Sequence, residues 1–244
     1  MPDTPPATQI PVKPAPFRYG LKNLAQCLAG IGPARIVAIG SSTTAGEGGI
    51  VAYPYRLEAL LRDRYGDLMI DVLNRGIGGQ EAPQELVRLE RDVIAEKPSL
   101  VIWQVGTNAV WQGQEKWRGQ SPEQTVAAIR SGLARLREVP DMDVVLMDLQ
   151  YVPALLTADK IGAANQMVAS IAAEADAAGV NLFGRFAMMK AWHEVERASF
   201  DTMVDPTDPT RLHDSDWSTQ RLAWSLRDAI VDGVAAAMSG VPAT

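Results

Sequence analysis

The sequence has little of several features that mark particular classes of protein. Cys27 is the only cysteine among 244 residues, which excludes an intrachain disulfide and a cluster of thiolate metal ligands. Lysine and arginine do not occur in runs and the formal net charge is -6, so a surface for nucleic acid is not expected. No apolar run approaches the roughly 18 residues that a membrane-spanning helix needs. These absences predict a soluble, acidic protein.

The proline-rich start of the chain predicts a segment outside the folded core. The first 16 residues, MPDTPPATQIPVKPAP, contain neither the charged region nor the apolar region of a secretory signal, which predicts a cytoplasmic protein or one whose leader is missing from this sequence. We expect residues 1–18 to form an extended arm and residues 19–244 to form one domain. A hydrophobic content of 47% is sufficient for its core, but composition predicts no oligomeric state.

Apolar runs of strand length alternate with segments of helical periodicity along the chain. This alternation predicts an α/β protein in which helices cover both faces of a mainly parallel five-stranded sheet, that is, a three-layer α/β/α sandwich. The predicted strands are Ile36–Ile39, Met69–Leu73, Leu100–Val105, Asp143–Leu149 and Val180–Phe183. The predicted helices are Tyr19–Leu28, Tyr53–Tyr65, Pro83–Ala95, one that follows a capping box of Ser121 and Gln124, Asp159–Ala178, Phe186–Val195 and Asp216–Met238.

The stretch RIVAIGSSTTAG, residues 35–46, joins the first predicted strand to a loop of small, hydroxyl-bearing residues. In open α/β sheets, ligand crevices lie outside the carboxyl ends of the parallel strands. Ser42 lies in such a loop, which makes its hydroxyl a candidate nucleophile. Serine and threonine also satisfy backbone groups at strand ends, so the loop alone leaves both interpretations open.

Three further loops supply the residue types that an acyl-transfer site needs. His213, one of only two histidines, precedes the final helix, and an imidazole can take a serine proton and return it near neutral pH. Gly79 follows the second strand and Asn108 follows the third. A backbone N–H at glycine and a side-chain amide can both donate to an oxyanion. Because parallel strands bring such loops to one edge of a sheet, the sequence predicts a serine-based ester hydrolase.

These residues stand in four blocks that resemble the SGNH, or GDSL-type, hydrolase family. GSSTTAG (residues 40–46) is similar to the first block, NRGIGG (74–79) to the second, GTN (106–108) to the third and RLH (211–213) to the last, in the family's order. The resemblance implies a flavodoxin-like fold and cleavage of esters through an acyl-serine, without a metal or organic cofactor. It also implies that Ser42 attacks, that His213 carries the proton, and that the Ser42 and Gly79 backbone amides and the Asn108 side-chain amide hold the oxyanion.

The chain departs from that family at the residue that orients the histidine. The family has an aspartate three residues before the histidine, and this chain has Thr210 there. Asp208, five residues before His213, can replace that aspartate if the turn at Pro209 folds it back. Asp205 is a second alternative, and a backbone carbonyl that accepts the ring proton is a third.

Several aromatic residues and the second histidine have two interpretations each. Trp111, Trp117 and Tyr151 follow strand ends, where they can line an acyl or sugar pocket or pack within the loops. His193 lies on a predicted surface helix, where either a solvated or locally hydrogen-bonded side chain or a role in the site is possible, and the first is expected.

We therefore predict a serine esterase for short-chain acyl esters, such as acetyl groups on a carbohydrate, with a small-molecule or carbohydrate ester as its partner. Two other enzyme classes fit poorly. The Gly-x-Ser-x-Gly pattern of α/β-hydrolases lacks its last glycine at Thr44, and a Walker phosphate-binding loop lacks its lysine. The remaining alternative is a catalytically silent carbohydrate- or ligand-binding module on the same scaffold. The joint presence of Ser42, Gly79, Asn108 and His213 favours the enzyme.

Overall fold

A computed structural model describes residues 13–30, 32–66, 69–112 and 121–239 of the chain. Within these residues, five strands pair in parallel to form one sheet with the order β2-β1-β3-β4-β5. The strands are β1 (Ala34–Gly40), β2 (Ile70–Gly76), β3 (Leu100–Gln104), β4 (Asp143–Met147) and β5 (Asn181–Phe183). The predicted five-stranded parallel sheet is confirmed. Residues 1–12 of the predicted arm lie outside the described residues.

Helices cover the sheet on both faces. Helices α1, α3 and α10 pack together in one layer, and α4, α6 and α7 pack together in the other, which confirms the predicted three-layer sandwich. The helices of the described residues are α1 (Lys22–Leu28), α2 (Ser42–Ala45), α3 (Tyr53–Tyr65), α4 (Ala82–Asp92), α5 (Thr107–Gln112), α6 (Pro122–Arg137), α7 (Ile161–Ala178), α8 (Arg185–Glu194), α9 (Phe200–Met203) and α10 (Asp216–Ser239), with 3₁₀ turns at Ile94–Glu96 and Pro153–Leu155.

Strand β3, with the sequence LVIWQ, is buried at every residue because it lies at the centre of the sheet between two helical layers. Its Trp103 is fully buried, and the indole ring fills the space where a Cβ at Gly132 of α6 would stand. A glycine at that position lets the helix approach the sheet closely. This contact explains why a bulky tryptophan fits at the centre of the core.

Most helix boundaries agree with the predicted ones, and the exceptions have local causes. Helix α3 has the predicted bounds, and the capping box of Ser121 and Gln124 is present at the start of α6. The prediction that the first helix begins at Tyr19 is wrong, because the Tyr19 backbone N–H and C=O both bond to the side-chain amide of Asn181. The short helices α2, α5 and α9 were not predicted, since four to six residues show too little periodicity.

A buried carboxyl group of helix α4 lies against the central tryptophan. The Trp103 indole N–H donates to Glu85 Oε2 over 2.7 Å, while Glu85 Oε1 has no hydrogen-bond partner. Burial, followed by the neighbouring Glu81 carboxylate, raises the pKa of Glu85 to about 8. Glu85 is therefore a neutral acid at pH 7 in the folded protein.

The raised pKa of Glu85 predicts a pH dependence of stability. The unfolded chain loses this proton near pH 4.3 and the folded protein loses it near pH 8, so the folded state binds more protons across that window and stability falls as pH rises through it. In urea unfolding, Glu85→Gln should gain roughly 3 to 4 kcal/mol relative to wild type between pH 5 and pH 8. Parallel pH dependences of the two proteins would show that Glu85 is charged when folded.

The described helices include none with the length and apolar character needed to cross a bilayer.

Candidate active site

The loops after β1, β2 and β3 meet at the carboxyl edge of the sheet. The strand order places β1 between β2 and β3. After β1 the chain continues to β2 on one side, and after β3 it continues to β4 on the other side, so the direction of winding reverses between β1 and β3. This is the point at which doubly wound sheets open a crevice for a ligand. Ser42, Gly79 and Asn108 follow these three strands directly, so the fold brings the first three sequence blocks to one place.

Ser42 begins the short helix α2 and is only 6% exposed. The turn that carries Ser42 is held by hydrogen bonds to the side chain of Gln104, the last residue of β3. Gln104 Oε1 accepts hydrogen bonds from the Ser41 backbone N–H at 3.1 Å, the Ser41 hydroxyl at 3.2 Å and the Thr44 hydroxyl at 3.3 Å. Sequence reasoning missed this role of Gln104. Its only signal was a polar residue at the carboxyl end of an otherwise apolar strand.

Gly79 and Asn108 lie on two loops that a hydrogen bond joins. Gly79 has a φ of +75° with open space around it, so the backbone conformation rather than crowding favours glycine there. The Asn108 side-chain amide is buried and donates to the backbone carbonyl of Gln80 over 2.8 Å. This bond joins the second block to the third. It uses one of the two amide hydrogens of Asn108 and leaves the other for a ligand.

His213 is held by Asp208, the residue that the sequence offered in place of Thr210. Asp208 Oδ2 lies 2.9 Å from His213 Nδ1 and also accepts the His213 backbone N–H over 2.8 Å. A proton on Nδ1 satisfies the Asp208 carboxylate and leaves Nε2 to face the loop of Ser42. The loop between the two residues closes because Val204 pairs with Asp214 in an isolated antiparallel bridge. The five-residue spacing thus brings carboxylate and imidazole into contact.

Asp208 is held as a carboxylate by the backbone around it. Burial alone would raise its pKa, but hydrogen bonds from the Thr210 hydroxyl and from the backbone N–H groups of His213, Thr210 and Leu212 outweigh burial and hold the pKa of Asp208 well below its usual value. The Thr210 hydroxyl donates to Asp208 Oδ1 over 2.6 Å. Threonine at the position where the family has aspartate therefore supports the aspartate that stands two residues earlier.

The neighbouring aspartates have different partners. Asp205 Oδ1 accepts the backbone N–H and the hydroxyl of Thr207, both at 2.8 Å, as in a local turn. Asp214 is buried 3.8 Å from the Arg185 guanidinium. Burial raises the pKa of Asp214 to about 6, against the lowering effect of Arg185. Of the two aspartates that the sequence offered as partners of His213, Asp208 is the one that contacts its ring.

Glu47 is a charged residue of this site that sequence reasoning missed. Its Oε2 lies 3.2 Å from His213 Nε2, and its side chain is about half exposed. Its Oε1 also occupies the space where a Cβ at Gly78 would stand, and Ser42 Cβ lies 4.0 Å from that same point. Ser42, Glu47 and His213 line a common cavity of about 20 Å³, room for roughly one water molecule. The one sequence signal was that Glu47 is the first large side chain after the GSSTTAG block.

Trp111 and Tyr151, the two aromatic candidates that the structure describes, do not line the small cavity at Ser42, and neither do Gly79 and Asn108. Tyr151 packs edge-on against Phe186, with ring centroids 5.1 Å apart. His193 stacks on an aromatic ring and its Nδ1 bonds to the Ala198 carbonyl over 2.8 Å, which confirms the expected local hydrogen bond. Trp117 lies outside the described residues.

A second cavity, of about 780 Å³, opens at the opposite edge of the sheet. Its lining includes Arg18, Lys22 and Arg137 and none of the predicted site residues. It lies where β4 and β5 begin, away from the crevice at the carboxyl ends of the strands. In the part of the chain that the structure describes, no group of three or more His, Cys, Asp or Glu side chains is arranged to hold a metal ion.

Comparisons with known proteins identify the family and the fold of this chain. A sequence model of the family described as NonGDSL, the non-GDSL lipase-like family, matches residues 7–236. An acetylxylan esterase from Geobacillus stearothermophilus is 42% identical over 64 residues, which are 26% of this chain and 28% of that relative. The aligned part therefore spans less than a third of the relative's length.

Solved structures with the same fold extend the likeness to most of the chain. The crystal structure of Axe2, an acetylxylan esterase from Geobacillus stearothermophilus, has a TM-score of 0.67 at 24% identity and covers 81% of this chain and 94% of that chain. LAE5, an alpha/beta hydrolase enzyme from the metagenome of Lake Arreo, Spain, has a TM-score of 0.66 at 20% identity, with 82% and 95% covered. At these identities the likeness is one of fold.

Proposed function

The chain belongs to the non-GDSL lipase-like family, and from this premise we propose that it hydrolyses short-chain acyl esters through an acyl intermediate on Ser42. That membership agrees with the predicted relationship to the SGNH family and supports the proposal of a carboxylic ester hydrolase. The observation that carries the proposal is the contact between Asp208 and His213 Nδ1 at the edge of the cavity that His213 shares with Ser42.

In the first half-reaction, His213 Nε2 takes the hydroxyl proton as Ser42 Oγ forms a bond to the ester carbonyl carbon. The carbonyl oxygen becomes an oxyanion, stabilised by the Ser42 and Gly79 backbone N–H groups and the Asn108 side-chain amide. The tetrahedral intermediate then expels the alcohol oxygen, which receives the proton from His213. The Asp208 carboxylate stabilises the imidazolium while it exists.

In the second half-reaction, a water molecule replaces the departed alcohol. His213 Nε2 takes a proton from this water as its oxygen bonds to the acyl carbon, and the same donors stabilise the second oxyanion. Collapse of this intermediate breaks the bond to Ser42 Oγ, which regains its proton from His213. The products are a carboxylic acid and the free enzyme, so no redox step and no external cofactor enters the proposed cycle.

Glu47 must leave His213 before this chemistry begins. The 3.2 Å contact between His213 Nε2 and Glu47 Oε2 is attractive only when Nε2 carries a proton, and the base that activates Ser42 must lack that proton. When the ring is neutral, Nε2 and Glu47 are both acceptors and the attraction between them is lost. The glycines at positions 46, 48 and 49 surround Glu47 and give its backbone the freedom to move. We propose that the ester enters the position from which Glu47 withdraws.

Removal of the Glu47 side chain is expected to increase activity on a small, uncharged ester. An ion pair of this exposure is worth up to about 1 kcal/mol, so Glu47→Ala should raise kcat/KM for p-nitrophenyl acetate by about twofold to fivefold. Glu138→Ala, which removes an exposed carboxylate remote from Ser42, controls for the change in net charge. A marked loss of activity in Glu47→Ala alone would mean that this carboxylate assists the reaction.

The small cavity at Ser42 favours a small acyl group. A volume of about 20 Å³ is too small for an ester, so the cavity must enlarge as Glu47 withdraws. Among the described residues that line it, the only apolar side chains are those of Ile50 and Ala52, which give little contact area for a long acyl chain. Acetyl esters fit this space better than longer acyl chains. Acetylated carbohydrates are the proposed natural class, because the sequence and structural relatives named above include acetylxylan esterases.

Two substrate series test the proposed function. The first compares p-nitrophenyl acetate, butyrate and octanoate, for which kcat/KM is expected to decrease with acyl length. The second measures acetate released from acetylated xylooligosaccharides, which is expected to occur at a rate that depends on enzyme concentration. Binding of these oligosaccharides without hydrolysis of any ester would contradict the proposal and would support the silent binding module.

A further inference from the structure

The buried carboxylate of Glu81 joins the two loops assigned to the oxyanion hole. Glu81 stands two residues after Gly79 and caps the amino end of helix α4, where its Oε1 accepts the Ala82 N–H over 2.9 Å. The same carboxylate reaches across to the loop after β3. Its Oε1 accepts the Gly106 N–H over 2.8 Å, and its Oε2 accepts the Ala109 N–H over 3.0 Å.

Asn108 lies between the two backbone groups that Glu81 holds in the second loop. Gly106 precedes Asn108 by two residues and Ala109 follows it directly, so both ends of the short segment that carries the Asn108 side chain are fixed to one carboxylate. The Asn108 amide itself bonds to the Gln80 carbonyl, beside Glu81. One side chain therefore sets the distance between the backbone near Gly79 and the amide of Asn108.

A carboxylate suits this position better than other polar groups. Both oxygens of Glu81 only accept hydrogen bonds, and all three of the contacts named are backbone donors. Burial raises the pKa of Glu81, and the hydrogen bonds from Gly106, Ala82, Ala109 and Asn108 backbone groups oppose that rise. A glutamine of the same shape would turn its NH₂ group toward one of these N–H donors and leave that donor unpaired.

We propose that Glu81 is a positioning residue for ester hydrolysis, which acts by holding Asn108 at the place where its side-chain amide meets the oxyanion. This inference rests on the proposed function of Ser42 and Asn108. Displacement of an oxyanion donor weakens binding of the transition state more than binding of the ester, because full negative charge develops on the oxygen only during the reaction. The role of Glu81 is therefore to support kcat rather than substrate affinity.

Glu81→Gln tests this role, with Glu85→Gln as its matched control. Both substitutions replace a buried glutamate at the start of helix α4 with its amide, but the hydrogen bond of Glu85 is to Trp103 on strand β3 and not to the backbone of an oxyanion loop. For p-nitrophenyl acetate, Glu81→Gln is expected to lower kcat by about 10- to 100-fold and to change KM by less than about twofold. Glu85→Gln should leave both constants within about twofold of wild type. A kcat of Glu81→Gln equal to that of wild type would overturn the proposal, as would an equal loss in the control.

A double-mutant cycle separates positioning from general damage to the fold. If Glu81 acts through Asn108, Glu81→Gln should lower kcat in the Asn108→Ala background by less than about threefold, because the group that Glu81 positions is already absent. The same fold-loss in both backgrounds would overturn the proposal. Should Glu81→Gln fail to fold, Glu81→Asp replaces it. Its shorter carboxylate cannot reach both loops, so an unchanged kcat would contradict the role equally.

Amide hydrogen exchange tests the same role without reliance on activity. Glu81→Gln should accelerate exchange in the peptide that contains residues 106–112, and Glu85→Gln should not. Unaltered exchange in Glu81→Gln would overturn the proposed positioning even if ester hydrolysis is established. If exchange in that peptide is faster in Glu81→Gln but the wild-type protein cleaves no ester, the positioning of the loop by Glu81 is supported and the proposed function is refuted.

Discussion

Ser42→Ala is expected to lower kcat for p-nitrophenyl acetate by roughly 10⁴- to 10⁶-fold, because it removes the atom that forms the acyl intermediate. KM should change little, since a serine hydroxyl contributes little to binding of the ground-state ester. Steady-state kinetics on the purified variant, with thermal unfolding to show that it is folded, measure both quantities. The residual activity should come from direct attack of water on the ester carbonyl, whose oxyanion the remaining donors still stabilise.

Two further variants make this result specific to the proposed pair. His213→Ala should cause a loss of the same order, and the double variant should be no slower than either single variant, because the two residues act as one unit. Ser41→Ala is the neighbouring control, since it removes a hydroxyl that supports the turn through Gln104 and does not react. A loss in Ser41→Ala as large as that in Ser42→Ala would assign the effect to the turn instead of the nucleophile.

Asp208→Asn is expected to lower kcat by about 100- to 10,000-fold. An asparagine oxygen can still accept the Nδ1 proton, but the neutral side chain no longer stabilises the imidazolium, and its NH₂ group can favour the wrong tautomer. The variant should also lose stability, because the backbone N–H groups of Leu212 and His213 would lose a charged acceptor. The kinetic measurement is kcat on p-nitrophenyl acetate at several pH values.

Asp205→Asn is the matched control for Asp208→Asn. Asp205 stands three residues earlier in the same loop and accepts two hydrogen bonds from Thr207, so its loss perturbs the loop without altering the partner of His213. Its kcat should remain within about threefold of wild type. Equal activity of Asp208→Asn and wild type would favour a Ser-His dyad without a carboxylate, the third alternative that the sequence left open.

The fold and the four sequence blocks were predictable because they rest on local patterns. Strands β1 and β3 have apolar sequences because helices cover both of their faces. In a doubly wound sheet their carboxyl ends lie at one edge, so Ser42 and Asn108, which follow them, lie at that edge. The partner of His213 was not fixed by such a pattern. Its contact depends on the Val204–Asp214 bridge and on the Thr210 hydroxyl, which no periodicity encodes.

The polar residues that support the site were the main omission. Gln104, Glu47 and Glu81 each lie far in sequence from at least one of the groups that they contact. From the sequence, a glutamate at the start of a helix is interpreted as an ordinary N-cap. No pattern in the neighbouring residues indicates that the carboxylate of Glu81 also reaches the loop after β3. Such contacts follow from the packing of neighbouring strand ends, so they become visible only in three dimensions.

Covalent labelling by a small, uncharged organophosphonate, followed by peptide mapping, identifies the activated hydroxyl without knowledge of the natural substrate. We expect a single modified residue, Ser42, with labelling slowed by at least about 100-fold in His213→Ala. Modification of a different residue, or equal rates in wild type and His213→Ala, would contradict the claim that His213 activates Ser42.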